Sequence, residues 1–174
     1  YDADAKSYRY RVVEPLLNEF ESYVRDDLTR VIRNSLMYQD LESEADRERI
    51  FAERVEAIID EHAATVNPGT VQKLFYYFMR DFIGYGRIDA MMRDPSLEDI
   101  SCNGADTPTF VYHRAYRDLR TNVSFDAKRL NSLVVRLAQR SGKHISISNP
   151  LIDASLPDGS RIQLTLGTAV SSRG

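Results

Sequence analysis

The 174-residue sequence has one cysteine, no tryptophan and three histidines. A single thiol excludes an internal disulfide, which fits a reducing, cytosolic compartment. Cys102, in a strand-like apolar setting, reads as a small buried residue. His62, His113 and His144 are scattered, without metal-ligand spacing and without a cysteine or hydroxyl partner in sequence. No apolar run approaches the roughly 18 residues of a membrane span. Tyr1-Asp2-Ala3-Asp4 is not a signal peptide. The missing initiator Met and the abrupt Ser171-Ser172-Arg173-Gly174 end read as trimming on both sides. Excess positive charge is missing too: 23 basic residues face 26 acidic ones, and the net charge of -3 argues against a general pull toward nucleic acid.

What is present suffices for a core, since 43% of the residues are hydrophobic. Two halves differ in character. Tyr8 to Val13 alternates and predicts a short opening strand, ended by Glu14-Pro15. A helix follows from Leu16 to Met37, with Phe20, Val24, Leu28, Val31 and Ile32 as its apolar stripe. Ser43 and Asp46 suit a capping box for a second helix bearing Phe51, Val55, Ile58, Ile59 and His62 on one face. Asn67-Pro68 starts a third helix, with Asn as N-cap and Pro at the first position. Val71, Leu74, Phe75, Phe78, Met79, Phe82 and Ile83 give it the strongest amphipathic pattern, and Gly84 and Gly86 stop it. Arg87 to Pro95 reads as a turn-rich joint.

Strands are predicted at Leu97–Cys102, Phe110–Tyr112 and Arg117–Asn122, with Asn103-Gly104 as a turn. Asp126 caps a helix running to Arg140, whose stripe is Leu130, Leu133, Val134, Leu137 and Ala138. Gly142 ends it. A hairpin from Leu151 to Leu164 turns at Pro157-Asp158-Gly159-Ser160. The predicted class is α+β: a helical N-terminal region, 1–95, then a small antiparallel or mixed sheet with one packed helix in two layers, 96–174.

Ser141-Gly142-Lys143-His144 invites a phosphate-loop reading, which the spacing refuses. A Walker A loop needs glycine at position 137 and Ser or Thr at 144, and it precedes a helix rather than following one. Arg136, Gln139, Arg140 and Lys143 form a basic set at the helix end. Complementing the helix dipole explains them adequately, and contact with a phosphate or partner is the functional alternative. Arg161 is delivered by the turn to the mouth of a strand, where a guanidinium suits an anion. Asp99, Asp153 and Asp158 show no pattern for general acid–base work, and Asp158 reads as a turn residue.

Several strings together go further. The run from Gly84-Tyr85-Gly86-Arg87-Ile88-Asp89 through Asp94-Pro95-Ser96-Leu97-Glu98-Asp99-Ile100 to Asn103-Gly104 resembles a segment of secretion-ATPase N-terminal domains. Val111-Tyr112-His113-Arg114, Leu137 to Ser146, and the Asp153–Arg161 hairpin follow in the order of the archaeal branch. The chain thus resembles the N-terminal part of a type II/type IV secretion superfamily ATPase, of the kind that drives archaeal pili and archaella. The likeness spans about residues 8 to 174 and is specific from 84 onward.

The resemblance implies a hexameric motor in which an N-terminal domain faces a C-terminal RecA-like domain. ATP with Mg sits in the cleft between them, and N-terminal arginines reach the phosphates. Arg161 is then the best phosphate-facing candidate, with Arg173 and Arg140 weaker and Lys143 weaker still. The sequence contains neither Walker A nor Walker B, so no catalysis and no tight nucleotide binding are expected of this chain itself. Expected partners are the missing C-terminal ATPase domain, neighbouring subunits and a membrane platform protein. Nucleic acid is not among them. The expected location is cytoplasmic, peripheral at the inner face of the membrane. The alternative is a stand-alone protein-interaction or sensory module of the same α+β build, with no nucleotide role.

Overall fold

The computed structural model describes residues 8–36, 44–62 and 66–166. It is an α+β protein, and the chain divides into two units. Val13–Asp89 forms one, and Ala90–Gly174 together with Tyr1–Val12 forms the other. The opening strand therefore belongs with the sheet, not with the helical region that a 1–95 boundary assigns it to. The reason is pairing. β1 (Arg9–Tyr10) lies parallel to β4 (Arg117–Ser124), with Arg9 opposite Arg120 and Tyr10 opposite Thr121. Asn122 extends this ladder by side chain: its Oδ1 accepts the Val12 N–H at 2.8 Å and its Nδ2 donates to the Val12 carbonyl at 2.9 Å. Tyr10 also donates its hydroxyl to Asp94 at 2.8 Å. Burial, then the Asp94 bond and charge, push its pKa up to about 12.

In the helical unit, α1 spans Glu19–Leu36, α2 Glu44–His62 and α3 Pro68–Phe78, and α3 runs on through a π-helical turn at Met79–Ile83. Leu28, Ile32, Phe51, Val55, Ile58, Ile59, Leu74 and Phe78 form the core. Each contributes about 1.5–3 kcal/mol as an upper figure for burial. Val71, Phe75, Met79, Phe82 and Ile83 are half-buried against it. Phe20, expected in the α1 stripe, is instead 59% exposed. It lies in the first turn, before the helix face reaches the core. The predicted Ser43 and Asp46 capping box and the His62 side chain fall outside what the structure describes.

α1 starts at Glu19 rather than Leu16 because Asn18 and Glu21 cap it reciprocally. Asn18 Oδ1 accepts the Glu21 N–H at 2.8 Å, and the Glu21 carboxylate accepts the Asn18 N–H at 2.9 Å. Glu21 is buried, and Thr70 and Lys73 of α3 donate to the same carboxylate at 2.7 and 3.0 Å. These bonds, the Thr70 hydroxyl first, hold its pKa down to about 2. One side chain therefore both starts α1 and fastens it to α3. The predicted cap of α3 is present: Asn67 accepts the Thr70 N–H, with Pro68 at the first position.

Arg80 fastens the segment before α1. Its guanidinium meets Glu14 at 2.6 Å and Asp81 at 2.7 Å and lies 4.6 Å from the Tyr77 ring centroid. Burial opposes its charge, but Asp81 and Glu14 outweigh that and raise its pKa. Tyr77 donates to the Pro15 carbonyl at 2.6 Å. The joint predicted as turns is mostly helical, with a 3₁₀ turn at Gly86–Ile88 followed by α4 (Asp89–Met92).

In the other unit the four-stranded sheet runs β1-β4-β3-β2, with β2 at Leu97–Ser101 and β3 at Pro108–His113. Its β2-β3-β4 part is antiparallel. β4 alternates strictly, burying Leu119, Thr121 and Val123. Cys102 follows β2 and is exposed rather than buried, its sulfur 3.5 Å from Thr109 Oγ1. α5 (Ala127–Arg140), capped by Asp126, buries Leu133, Val134, Leu137 and Ala138. β5 (Leu151–Ser155) and β6 (Arg161–Thr165) form a separate two-stranded sheet rather than joining the larger one, and β6 contacts α5. Among the described residues, no helix is long and apolar enough to cross a membrane.

Candidate functional site

The closing hairpin holds the residue that the sequence singles out first. Leu156 anchors its turn, being only 3% exposed. Its carbonyl accepts the Gly159 N–H at 2.9 Å, and its own N–H returns to the Ser160 carbonyl at 2.8 Å. Asp158 Oδ1 accepts the Ser160 N–H at 2.9 Å, and Gly159 takes φ +87°. This is a turn closed by a left-handed glycine, with each of Pro157, Asp158 and Gly159 in the place its chemistry suits. Arg161 then opens β6 directly opposite Ser155.

The hairpin has two unlike faces. Ile152 pairs with Leu164 and Ala154 with Ile162, and Ile152 and Leu164 are buried. On the other face Ser155 pairs with Arg161 and Asp153 with Gln163, and all four are exposed. The apolar face holds the strand still, and the guanidinium projects from the open side. Asp153 lies one cross-strand step away on that face, which tempers the pull on an anion.

Arg140 and Lys143 lie elsewhere, at the end of α5. Gly142 takes φ +68°, its N–H bonds the Gln139 carbonyl at 3.0 Å, and the Lys143 N–H bonds the Ala138 carbonyl at 2.9 Å. These two bonds with a left-handed glycine make a Schellman cap. The Ser-Gly-Lys string is therefore a helix stop, and the Lys143 amide is spent on the helix it ends. Arg140 is half-buried in the last turn, while Lys143 is exposed. The candidates are thus placed on two elements, the hairpin turn and a helix terminus, rather than in one cradle. Arg173 falls outside the described residues.

His113 serves the fold, since its Nδ1 accepts the Ala115 N–H at 3.0 Å and its ring lies 5.0 Å from that of Tyr116. No group of three or more potential metal-ligating side chains occurs among the described residues. Residue pattern alone missed the Asn18 and Glu21 pair, although Asn-x-x-Glu before an apolar stripe was readable as a cap. It named Arg136 and Gln139 but missed Lys128, Asn131, Ser132 and Val135, which lie with them on the outer side of α5. Their spacing of three and four was visible in the sequence.

No protein-family profile matches the chain. It is 41% identical over 175 residues to the uncharacterized protein MJ1288 of Methanocaldococcus jannaschii, an alignment taking in 98% of this chain and 69% of that protein. Uncharacterized protein MJ0900 of the same archaeon is 35% identical over 133 residues, which are 76% of this chain and 24% of that one. Uncharacterized protein MJ0781 is 31% identical over 91 residues, 52% of this chain and 12% of its own length. Identity at this level along nearly the whole sequence means that the chain belongs to the same family as MJ1288 of M. jannaschii.

Proposed function

We propose that this chain is the N-terminal, non-catalytic module of a secretion or pilus-assembly type ATPase. The observation that carries the reading is Arg161, an exposed guanidinium at the start of a hydrogen-bonded hairpin strand that pairs through its backbone. A fixed cation of this kind stabilises charge on phosphoryl oxygens held by another domain. The module would face a RecA-like domain holding ATP and Mg, contact neighbouring subunits, and work at the inner face of the membrane beside a platform protein. Two of the relatives support a modular part, because the matched segment is about a quarter of one and an eighth of the other. In this reading the chain alone binds nucleotide feebly and does not hydrolyse it.

The test is steady-state ATPase activity of the full-length parent, wild type against Arg161→Ala. A loss of more than about tenfold, roughly 1.4 kcal/mol of barrier, is expected with the fold intact. Unchanged activity would remove Arg161 from the site, and a parent without ATPase activity would end the motor reading.

One observation favours the interaction-module alternative. Val13, Leu16, Phe20 and Tyr23 are 79%, 87%, 59% and 69% exposed around the start of α1. Four exposed large apolar side chains within one short stretch of chain suit a contact surface. That reading predicts normal partner binding by Arg161→Ala and no response to nucleotide.

A further inference from the structure

The net charge of -3 hides a division between the two units. Val13–Asp89 carries nine Lys and Arg against sixteen Asp and Glu. Ala90–Gly174 with Tyr1–Val12 carries fourteen Lys and Arg against ten Asp and Glu. The unit with the sheet is therefore basic, although the chain as a whole is acidic. Such asymmetry is a reason to ask what anion the basic unit meets.

The four-stranded sheet has two faces of different chemistry. Thr109, Val111, Leu119, Thr121 and Val123 are buried on one. The residues between them point to the other face. One row crosses all four strands there: Ser101 stands opposite Phe110, Phe110 opposite Arg120, and Arg120 opposite Arg9. Phe110 is 37% exposed on a face where a half-solvated sheet ordinarily places polar residues. Among the described residues its ring meets no other ring. Arg120 is exposed, as is Arg11 two residues after Arg9, and neither guanidinium has a hydrogen bond or ion pair among the described residues. The next row, Asp99-Tyr112-Asp118, is acidic, and Arg117 takes the Tyr112 hydroxyl. The cationic ground is thus confined to the Phe110 row and its β1 side.

We propose that this sheet face binds single-stranded nucleic acid, with a base stacked on Phe110 and neighbouring phosphates held by Arg120 and Arg11. An open sheet is flat, which suits a base, and stacking on an exposed aromatic tolerates any sequence because every base has a π-face. Phe110 and Arg120 stand one strand spacing apart, about 4.8 Å, so ring and guanidinium serve the same stretch of strand. A repeating unit of base and phosphate answers both features at once, whereas a lipid headgroup answers only the cations. The inference stands apart from the ATPase reading, since it uses none of the phosphate-facing candidates.

The experiment is fluorescence anisotropy of a labelled oligothymidylate, about twelve nucleotides long, titrated with this chain at about 50 mM and about 200 mM salt. Saturable binding is expected at low salt. At about 0.7 per phosphate contact on a single strand, two contacts give a log–log slope of about -1.4, a loss of about sevenfold over this range. Arg11→Ala with Arg120→Ala should remove most of that slope. Phe110→Ala should weaken binding at least about fivefold and keep the slope, because stacking is not screened. Lys128→Ala takes a charge from the same unit, on α5 rather than the sheet, and should change affinity by less than about twofold. All four side chains are exposed, and circular dichroism checks that the variants fold. No anisotropy change up to about 100 µM protein would overturn the proposal. So would a Phe110→Ala protein that binds like wild type, an arginine pair whose loss leaves the slope unchanged, or a Lys128→Ala effect as large as that of the arginines. Binding to phosphatidylglycerol vesicles without binding to the oligonucleotide would overturn it in favour of a lipid surface.

Discussion

Gly84→Ala sets two effects of opposite sign against each other. Gly84 has φ -74° and ψ -164°, an extended conformation open to any residue. A glycine-to-alanine change at such a site ordinarily stabilises by about 0.4–1 kcal/mol through the unfolded chain. Here the added Cβ would lie 2.3 Å from Asp89 Oδ1, 2.7 Å from its Cγ and 2.9 Å from the Arg80 carbonyl oxygen. Asp89 is 8% exposed, and its Oδ1 accepts the Tyr85 N–H at 2.9 Å. The carboxylate must leave or the backbone must shift. Losing a hydrogen bond to a carboxylate costs about 1.5–3 kcal/mol, and overpacking adds about 1–3. The net loss is therefore expected on the order of 2–5 kcal/mol, with the entropic gain overwhelmed. Urea unfolding followed by far-UV circular dichroism measures it. Asp89→Ala removes the obstacle, so Gly84→Ala in that background should cost less by at least about 1 kcal/mol. The Arg80 carbonyl contact would keep a residual cost. A Gly84→Ala protein as stable as wild type, or strict additivity in the cycle, would refute the close packing of this joint.

The Glu21 network predicts an acid limb in stability. Its folded pKa of about 2 lies below its ordinary 4.5, so its contribution is full above that ordinary value and is lost as pH falls toward 2. Glu21→Gln should flatten that limb in unfolding curves taken between neutral and acid pH, and an unchanged limb would place the acid sensitivity elsewhere. Gly142→Ala tests a different cause. No heavy atom lies within 4 Å of the added Cβ, and φ is +68°, so the expected loss of about 1–2 kcal/mol is conformational alone. Gly142→Asn should cost less, since Asn tolerates this region. Equal stability of all three proteins would contradict the left-handed cap.

Local punctuation was the most legible layer of the chain. Asn67-Pro68, Asp126, Gly142 and Pro157-Asp158-Gly159 each announce a boundary through chemistry within three residues, and each acts as its type suggests. Long-range pairing was less so. β1 is two residues long, and its partner is Arg120-Thr121, 111 positions later in the chain. No local pattern encodes that choice, so the strand reads equally well as the start of the helical half. Nor does alternation in β5 and β6 say whether a hairpin adds to a sheet or stands as its own layer. Burial fails for a related reason: periodicity identifies a helix face but not where the core ends along it. Phe20 keeps the spacing of Leu28 and Ile32 yet lies a turn too early to be covered. Cys102 keeps the strand alternation and falls one residue past the strand.

The motif residues themselves separate into those the fold consumes and one it leaves over. Gly84 makes room for Asp89, which holds the Tyr85 amide. Gly86 takes φ +62° to open the 3₁₀ turn. Asp94 accepts the Ser96 N–H at 2.9 Å and the Tyr10 hydroxyl at 2.8 Å, so it joins the opening strand to the start of β2. Gly142 ends α5, and Asp158 and Gly159 shape the hairpin turn. Each of these would be kept in any protein of this architecture, whatever it did. They identify a scaffold and carry no information about phosphate. Arg161 differs in kind. The ladder opposite Ser155 is satisfied by its backbone, the apolar face of the hairpin is built by Ile152, Ala154, Ile162 and Leu164, and the turn closes through Leu156 and Ser160. A threonine at 161 would suit the strand better on propensity alone. A residue that the scaffold tolerates but does not require is where function is free to act. For that reason Arg161→Ala is expected to spare the fold and, on the proposed function, to lower the ATPase activity of the parent, whereas Gly84→Ala should damage the fold itself.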